Sequence, residues 1–431
     1  MLKDALVVPM TSQGEEPQSF RGSVGVVGNR IVMVSDEADC VAQFMAEHPT
    51  ARVVECEGKA LLPGLINTHC HAAMTLQRNH ADDIPLMAWL NDHIWPFEAV
   101  QTKEDIALGM TLGIAEMLLG GVTSFVDMYF EEDFCVEGDD RMGMRAVLGC
   151  SYFDATIDKT LSSAERAVKA AAGKERIRIS VAPHAPYTVS DENLKRGKRF
   201  AEEHGLDYMV HAAETQDEMQ QVDEKYGTTP VRLLDRLGLL DEHTVLAHCV
   251  WVDEEEIALL RERGVTVAHN AQSNMKISSG VAPVTKMVDA GVCVTLATDG
   301  SSSNNDLDLW EEMRSAAFMQ KVSTMNPLSL PAYEVLKMAT ANGARAMGHE
   351  GELGVIREGA LADLIVVDLE KPHLQPIHDL VADLVYCGKA SDVETVVVDG
   401  RVVVENRRIK GLDLKELYRK ISETVQRIKE S

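Results

Sequence analysis

The sequence predicts a closed (β/α)8 barrel of the TIM-like α/β class, with a small β domain assembled from the two chain ends. Three observations predict it. Residues 59–351 alternate apolar, β-rich runs with helix-like stretches, and eight such runs can be counted. Histidines and acids crowd at the C-terminal ends of those runs. The flanks, residues 1–58 and 352–431, share short apolar runs broken by turns, a character the middle lacks.

In chain order, Gly22–Val34 reads as strands interrupted by a turn, and Leu361–Asp368 as another strand. Thr395–Val404 holds two valine runs around Asp399-Gly400, a hairpin signal. These strands are expected to meet in one domain, followed by a terminal helix over 412–430. The eight middle runs are Leu61–Asn67, Val122–Met128, Arg145–Tyr152, Ile177–Pro183, Tyr208–Ala213, Thr244–Cys249, Val265–His269 and Cys293–Thr298. Helix-like stretches such as Lys103–Leu119 and Asp253–Arg263 separate them, so the sheet should be parallel. A doubly wound open sheet shows the same alternation. The strand ends decide between the two. His69, His71, Asp127, His184, His211 with Glu214, His248, His269 and Asp299 stand there, including six of the 14 histidines. A barrel brings those ends to one mouth, whereas an open sheet strings them along an edge. No GxGxxG follows the first run, so a dinucleotide site has no support.

A chain of 431 residues fits a barrel of about 250 residues plus a smaller unit. The formal charge is -26, from 68 acidic and 42 basic residues. Such a surface repels phosphates and anionic lipid, so neither nucleic acid nor a membrane is expected as a partner. A neutral or cationic small molecule remains open, and solubility alone also accounts for the acidity. No apolar run of about 18 residues suggests a membrane span, and the N-terminus lacks the apolar stretch of a signal peptide. The eight cysteines are single, with no CxxC pair, and read as free thiols of a reducing compartment, the cytoplasm. Barrels often associate, so a homo-oligomer is allowed for, although no interface is legible.

The strongest local signal is Gly64-Leu-Ile-Asn-Thr-His69-Cys-His71. A strand has a side-chain period of two, so His69 and His71 point one way while Cys70 points into the wall. Alone, an HxH pair is common among ordinary core and surface histidines. His211, at the end of the fifth run, adds a third imidazole, and Asp299, after the eighth, a carboxylate. Asp299-Gly300 by itself would read as a helix cap or turn. Together the four suit one divalent ion such as zinc or iron(II). A second ion would need a further bridge, often a modified lysine. The runs Arg178–His184 and Tyr208–His211 contain none, so a single ion is expected.

A bound divalent ion makes hydroxide available near neutral pH. Glu214, three residues past His211, is placed to shuttle protons between water, a ring nitrogen and a departing amine. The plainer reading is a helix-opening acid interacting with the helix dipole. His248 is expected to orient the nucleophile and stabilise charge, and Asp299 to accept the water's proton as well as bind the ion. His269 and Asp127 receive no firm role, since each could serve only as a hydrogen-bonding group at the barrel mouth.

The contexts of these residues resemble the amidohydrolase superfamily, within the broader group that includes s-triazine chlorohydrolases, and most closely the 5-methylthioadenosine/S-adenosylhomocysteine deaminases. The stretches that resemble it include Pro63–Met74, Trp89–Pro96 with Glu98, Ala182–Tyr187, His211–Thr215, Ala247–Val250, His269–Lys276, Ser279–Pro283 and Thr298–Gly300 with Ser303–Leu307. They run in order through most of the barrel, and the flanks resemble the family's composite β-sandwich. The resemblance implies His69, His71, His211 and Asp299 as metal ligands and Glu214 as the residue that binds the purine edge and moves protons. It implies Glu98 as the acid holding ribose hydroxyls and His184 as a substrate-binding histidine. The implied partners are a purine nucleoside and water. The implied reaction converts adenosine, 5′-methylthioadenosine or S-adenosylhomocysteine to the inosine analogue with release of ammonia. Ala271 stands where the family often has proline, and Cys70 where it has threonine. Some members carry arginines after the third strand; here Leu148–Asp154 has none, with only Arg141 and Arg145 nearby, which favours a neutral nucleoside. The rival readings are a deaminase of guanine or an s-triazine, and a non-catalytic barrel serving assembly.

Overall fold

Valine-rich segments in the first 63 residues form β1 (Leu2–Val7), β2 (Phe20–Val27), β3 (Arg30–Ser35), β4 (Val54–Glu55) and β5 (Lys59–Pro63). The structure is a computed structural model that describes residues 1–11 and 19–430. The middle supplies β6 (Leu65–Cys70), β7 (Val122–Tyr129), β8 (Arg145–Tyr152), β9 (Ile177–Pro183), β10 (Asp207–Ala212), β11 (Thr244–His248), β12 (Thr266–His269) and β13 (Cys293–Leu296). The C-terminal flank adds β14 (Leu364–Asp368), β15 (Val393–Val398), β16 (Arg401–Glu405) and β17 (Arg408–Ile409), then a last helix, Leu414–Glu430.

Strands β6 to β13 pair in sequence order, and every neighbouring pair is parallel. Residues just past the last strand close the circle. The Asp299 amide donates to the His69 carbonyl at 3.0 Å, and Thr68 Oγ1 donates to the Leu296 carbonyl at 2.9 Å. Asn67 Nδ2 donates to Thr298 Oγ1 at 2.8 Å. The expected barrel is therefore present, and its seam passes through the HxH segment and Asp299. Helices cover its outside. The helix Lys103–Leu119 starts at a Thr102–Asp105 capping box and buries Ile106, Met110 and Ile114, one face at helical spacing.

The chain ends meet in a mixed sheet of nine strands, ordered β17-β16-β15-β14-β5-β1-β2-β3, with β4 beside β1. The Asp399-Gly400 turn between β15 and β16 has φ of 51° and 73°, the left-handed pair a tight hairpin uses. The run Leu61–Asn67 needs correction, because it is not one strand. Its first part lies in β5, which pairs with β1 and β14 of the end sheet, and its second part in β6 of the barrel. Gly64 makes the switch; a Cβ there would fall 2.1 Å from Thr123 Oγ1. Both halves are buried, so the apolar run gives no period that marks the break. All eight cysteines are free thiols, and among the described residues no helix is long and apolar enough to cross a membrane.

A buried ion pair ties the barrel floor to the end sheet. Arg145, 2% exposed at the start of β8, donates from Nε and Nη2 to the two oxygens of Asp363, each at 3.1 Å. Nη2 also reaches Asp399 Oδ1 at 3.2 Å. Removing one member of such a pair strands the other charge in a dry interior. Arg145→Ala should lower unfolding free energy by about 3–5 kcal/mol in chemical denaturation. A loss under about 1 kcal/mol would show that the pair does not join the two parts.

Candidate metal centre

His69, His71, His211 and Asp299 converge at the barrel mouth, and their ligand atoms all lie within 4.8 Å of one another. Asp299 Oδ1 is 3.1 Å from His71 Nε2 and 3.5 Å from His69 Nε2. Backbone carbonyls orient the rings. His71 Nδ1 donates to the Met128 carbonyl at 2.6 Å, and His211 Nδ1 donates to the His184 carbonyl at 2.7 Å. Each bond commits Nδ1 as the donor and turns Nε2 toward the centre, the nitrogen a metal would take once it carries no proton. His69 Nε2 is buried without a hydrogen bond, an orphaned acceptor that a cation would satisfy. Asp299 Oδ2 accepts from Ser273 Oγ at 2.6 Å and Ser303 Oγ at 2.9 Å, while Oδ1 accepts from the Gly300 amide at 2.8 Å and faces the imidazoles. Three imidazole nitrogens and one carboxylate oxygen fit a single divalent ion.

The local backbone is unusual in the same place. Ala213, His248, Cys249 and Asp299, all near strand ends, have left-handed φ of 54°, 76°, 46° and 62°. Such conformations are costly for residues with a Cβ and persist where surrounding contacts enforce them. Two of them, His248 and Asp299, line the cleft at the mouth.

Charge in the centre is divided unevenly. Burial pushes His69 down to about 4, and burial together with neighbouring imidazoles holds His211 well below its usual range. Burial also works against a charge on His71, but Asp299 overrides it and raises His71 to about 9. Burial opposes the Asp299 charge too, yet His69 and His71 hold its carboxyl well below the usual range.

The other expected residues line the same cleft: Glu98, His184, Glu214 and His248. Glu214 Oε1 is 3.8 Å from His248 Nε2. The helix Gln216–Tyr226 begins after Glu214 and is capped by Thr215, so Glu214 does not open it. The Glu214 amide donates to Glu218 Oε2 at 2.7 Å, a contact that pins its backbone. Burial raises the Glu214 carboxyl. His248 Nδ1 meets Asn274 Oδ1 at 2.9 Å, leaving Nε2 toward Glu214. Glu98 accepts from Tyr129 Oη at 2.8 Å, and burial raises it to about 7. His184 Nδ1 pairs with Thr188 Oγ1 at 2.8 Å, and its ring packs on Phe153 with centroids 4.7 Å apart.

His269 differs from the expected hydrogen-bonding group. It is wholly buried, and neither ring nitrogen has a hydrogen bond among the described residues. Asp127 does bond at the barrel end, to the Ala72 amide and the Cys70 thiol. Sequence reasoning missed Ser273 and Ser303, and it missed the aromatic wall of Trp89, Trp95, Tyr129, Phe130, Phe153 and Tyr187. Ser273, Ser303, Trp89, Trp95 and Tyr187 fall within the stretches that carry the resemblance, but a hydroxyl or a ring has no spacing that announces its partner. Among the described residues no lysine or arginine lines the cleft.

The profile of the Amidohydrolase family matches residues 60–403. A 5-methylthioadenosine/S-adenosylhomocysteine deaminase of Desulforamulus reducens is 45% identical over 380 residues, 87% of this chain and 88% of that one. A 5′-deoxyadenosine deaminase of Methanosarcina mazei is 44% identical over 386 residues, 87% of this chain and 89% of that one. Among solved structures, an adenosine deaminase from Xanthomonas campestris with bound zinc aligns with a TM-score of 0.95 at 35% identity, over 100% of this chain and 98% of that one.

Metal ligands must be deprotonated, so a cation displaces the proton that His71 holds at neutral pH. Zinc added to metal-free protein at pH 7 should release about one proton or more. Calorimetry in buffers of different ionisation enthalpy checks this; a binding heat that does not depend on the buffer would contradict it.

Proposed function

We infer the reaction from one premise: the chain belongs to the amidohydrolase family, whose profile spans residues 60–403. It is a metal-dependent hydrolytic deaminase that converts an adenine nucleoside to the inosine analogue and releases ammonia. The observation that carries this reading is the joint placement of four ligand groups and a raised, buried Glu214 in one cleft.

His69, His71, His211 and Asp299 would hold one divalent cation, zinc by the chemistry of the set. When bound, such a cation supplies water whose pKa falls from 15.7 toward about 7. Glu214 takes the water's proton, delivers it to the ring nitrogen beside C6, and passes protons on to the departing amine. Burial raises its carboxyl, which favours its holding a proton between the two transfers. Asp299 Oδ1 is a second acceptor for the water's proton. His248, through Nε2, steadies the charge that develops at the tetrahedral carbon. Water adds at C6, the bond from C6 to the exocyclic nitrogen breaks, and ammonia leaves. Glu98, held by Tyr129, accepts from the ribose hydroxyls, and His184 contacts the nucleoside.

The aromatic wall, and a cleft lined by no lysine or arginine among the described residues, support an uncharged 5′ group, as in adenosine or 5′-methylthioadenosine, over the zwitterionic tail of S-adenosylhomocysteine. Residues 59–351 carry the chemistry in this reading, with 1–58 and 352–431 as the supporting unit. Free thiols support a cytoplasmic enzyme acting on a small molecule, without nucleic acid or membrane as partner; self-association is compatible with it.

An ammonia-release assay over adenosine, 5′-methylthioadenosine, S-adenosylhomocysteine, guanine and a triazine tests the reaction. Turnover of the adenine nucleosides is expected; turnover of guanine or triazine alone would overturn it. Glu214→Gln should keep its zinc and lose about 10²–10⁴-fold in kcat. Full activity there would remove the proton shuttle. Because Glu98 titrates at about 7, its acceptor charge is lost as pH falls through that value. kcat/KM should therefore decline below about pH 7. If that acid limb persists unmoved in Glu98→Gln, Glu98 does not hold the ribose.

A further inference from the structure

Asp127 lies on β7 with its side chain wholly buried and takes no part in the chemistry above. Its Oδ1 accepts from the Ala72 amide at 2.7 Å and from the Cys70 thiol at 3.4 Å. Those two residues flank His71. The next residue on β7, Met128, accepts from His71 Nδ1 through its carbonyl. Strand β7 thus grips the second metal histidine three times: through the residue before it, the residue after it, and its ring.

The grip falls where ordinary sheet bonding gives out. The register of β6 on β7 shifts between Asn67 and Cys70, and β6 ends at Cys70, so no regular ladder fixes the backbone at His71. The choice of a carboxylate here is costly on its own. Among the described residues no lysine or arginine pairs with Asp127, and its titratable neighbours include Glu132 and Asp139, two more buried acids. A dry carboxylate without a cationic partner is strongly disfavoured unless other groups repay it. The Ala72 amide, the Glu132 carboxyl and the Cys70 thiol offset part of that cost, and positive charge at His71 offsets a further part.

We propose that Asp127 is a positioning residue of the metal centre, which sets the place of His71 through Cys70 and Ala72 and lends its charge to cation binding there. The proposal rests on the reading that His69, His71, His211 and Asp299 hold a divalent ion. Groups that orient a ligand from behind commonly change metal affinity by about 10–100-fold when removed.

The test is the zinc dissociation constant, measured by competition with a chromophoric chelator on wild type, Asp127→Asn, Asp127→Ala and Asp139→Asn, beside the Tm of each metal-free protein. Asp127→Asn keeps the shape and one acceptor but removes the charge, and should bind zinc about 10-fold more weakly. Asp127→Ala should approach about 100-fold. Asp139→Asn, an equally buried acid outside the grip, should match wild type. If the alanine variant does not fold, the isosteric asparagine variant carries the test. Zinc affinity within about threefold of wild type in Asp127→Asn, with only Tm lowered, would make Asp127 a structural residue and overturn the proposal. So would an equal weakening in Asp139→Asn. Wild-type protein that takes up no zinc would instead fell the cation reading, and this proposal with it.

Discussion

The seam between the first and last barrel strands is the constraint on which the rest of the molecule depends. There the Asp299 amide bonds the His69 carbonyl, and the Asp299 carboxylate faces His69 Nε2 and His71 Nε2. Closing the barrel and assembling the candidate centre are one event. Two of the four ligand groups come from β6 and its end and one from just past β13, so they meet only when the eight-stranded circle is complete. His211 arrives from β10, inside that circle. The stability of the barrel is thereby invested in the position of the site.

Around the four groups lies a layer of contacts that decides their orientation. Main-chain carbonyls of Met128 and His184 select the tautomers of His71 and His211, and two serine hydroxyls occupy one oxygen of Asp299. The two ring bonds keep each Nδ1 proton away from the centre and turn each Nε2 toward it. Left-handed backbone at Ala213, His248, Cys249 and Asp299 marks the same rim, a costly conformation that the surrounding contacts must enforce. Glu214 belongs to this arrangement through Glu218, which fixes its amide while burial raises its carboxyl.

Much of this is legible in the sequence. The HxH pair could be read because strand periodicity converts a spacing of two into a shared direction, and His211 and Asp299 because barrel topology brings strand ends together. The Asp399-Gly400 hairpin declared itself by residue types that accept positive φ. The switch at Gly64 was hidden, since two successive buried strands look like one apolar run. Ser273 and Ser303 were hidden for a different reason. Their hydroxyls find Asp299 only through tertiary packing, and serine is too common for its partner to be inferred. His269, a candidate hydrogen-bonding group by sequence, instead has no hydrogen bond at either ring nitrogen among the described residues. The aromatic wall of the cleft came from four separate segments, which no local pattern could gather.

The account stands on four distant side chains sharing one cation. A crystal of zinc-loaded protein, with data collected at the zinc edge, tests that directly. A single anomalous peak about 2.0–2.2 Å from an imidazole nitrogen each of His69, His71 and His211 and from Asp299 Oδ1 is the expected result. A peak bound elsewhere, or Asp299 turned away from a cation held by the histidines alone, would contradict it.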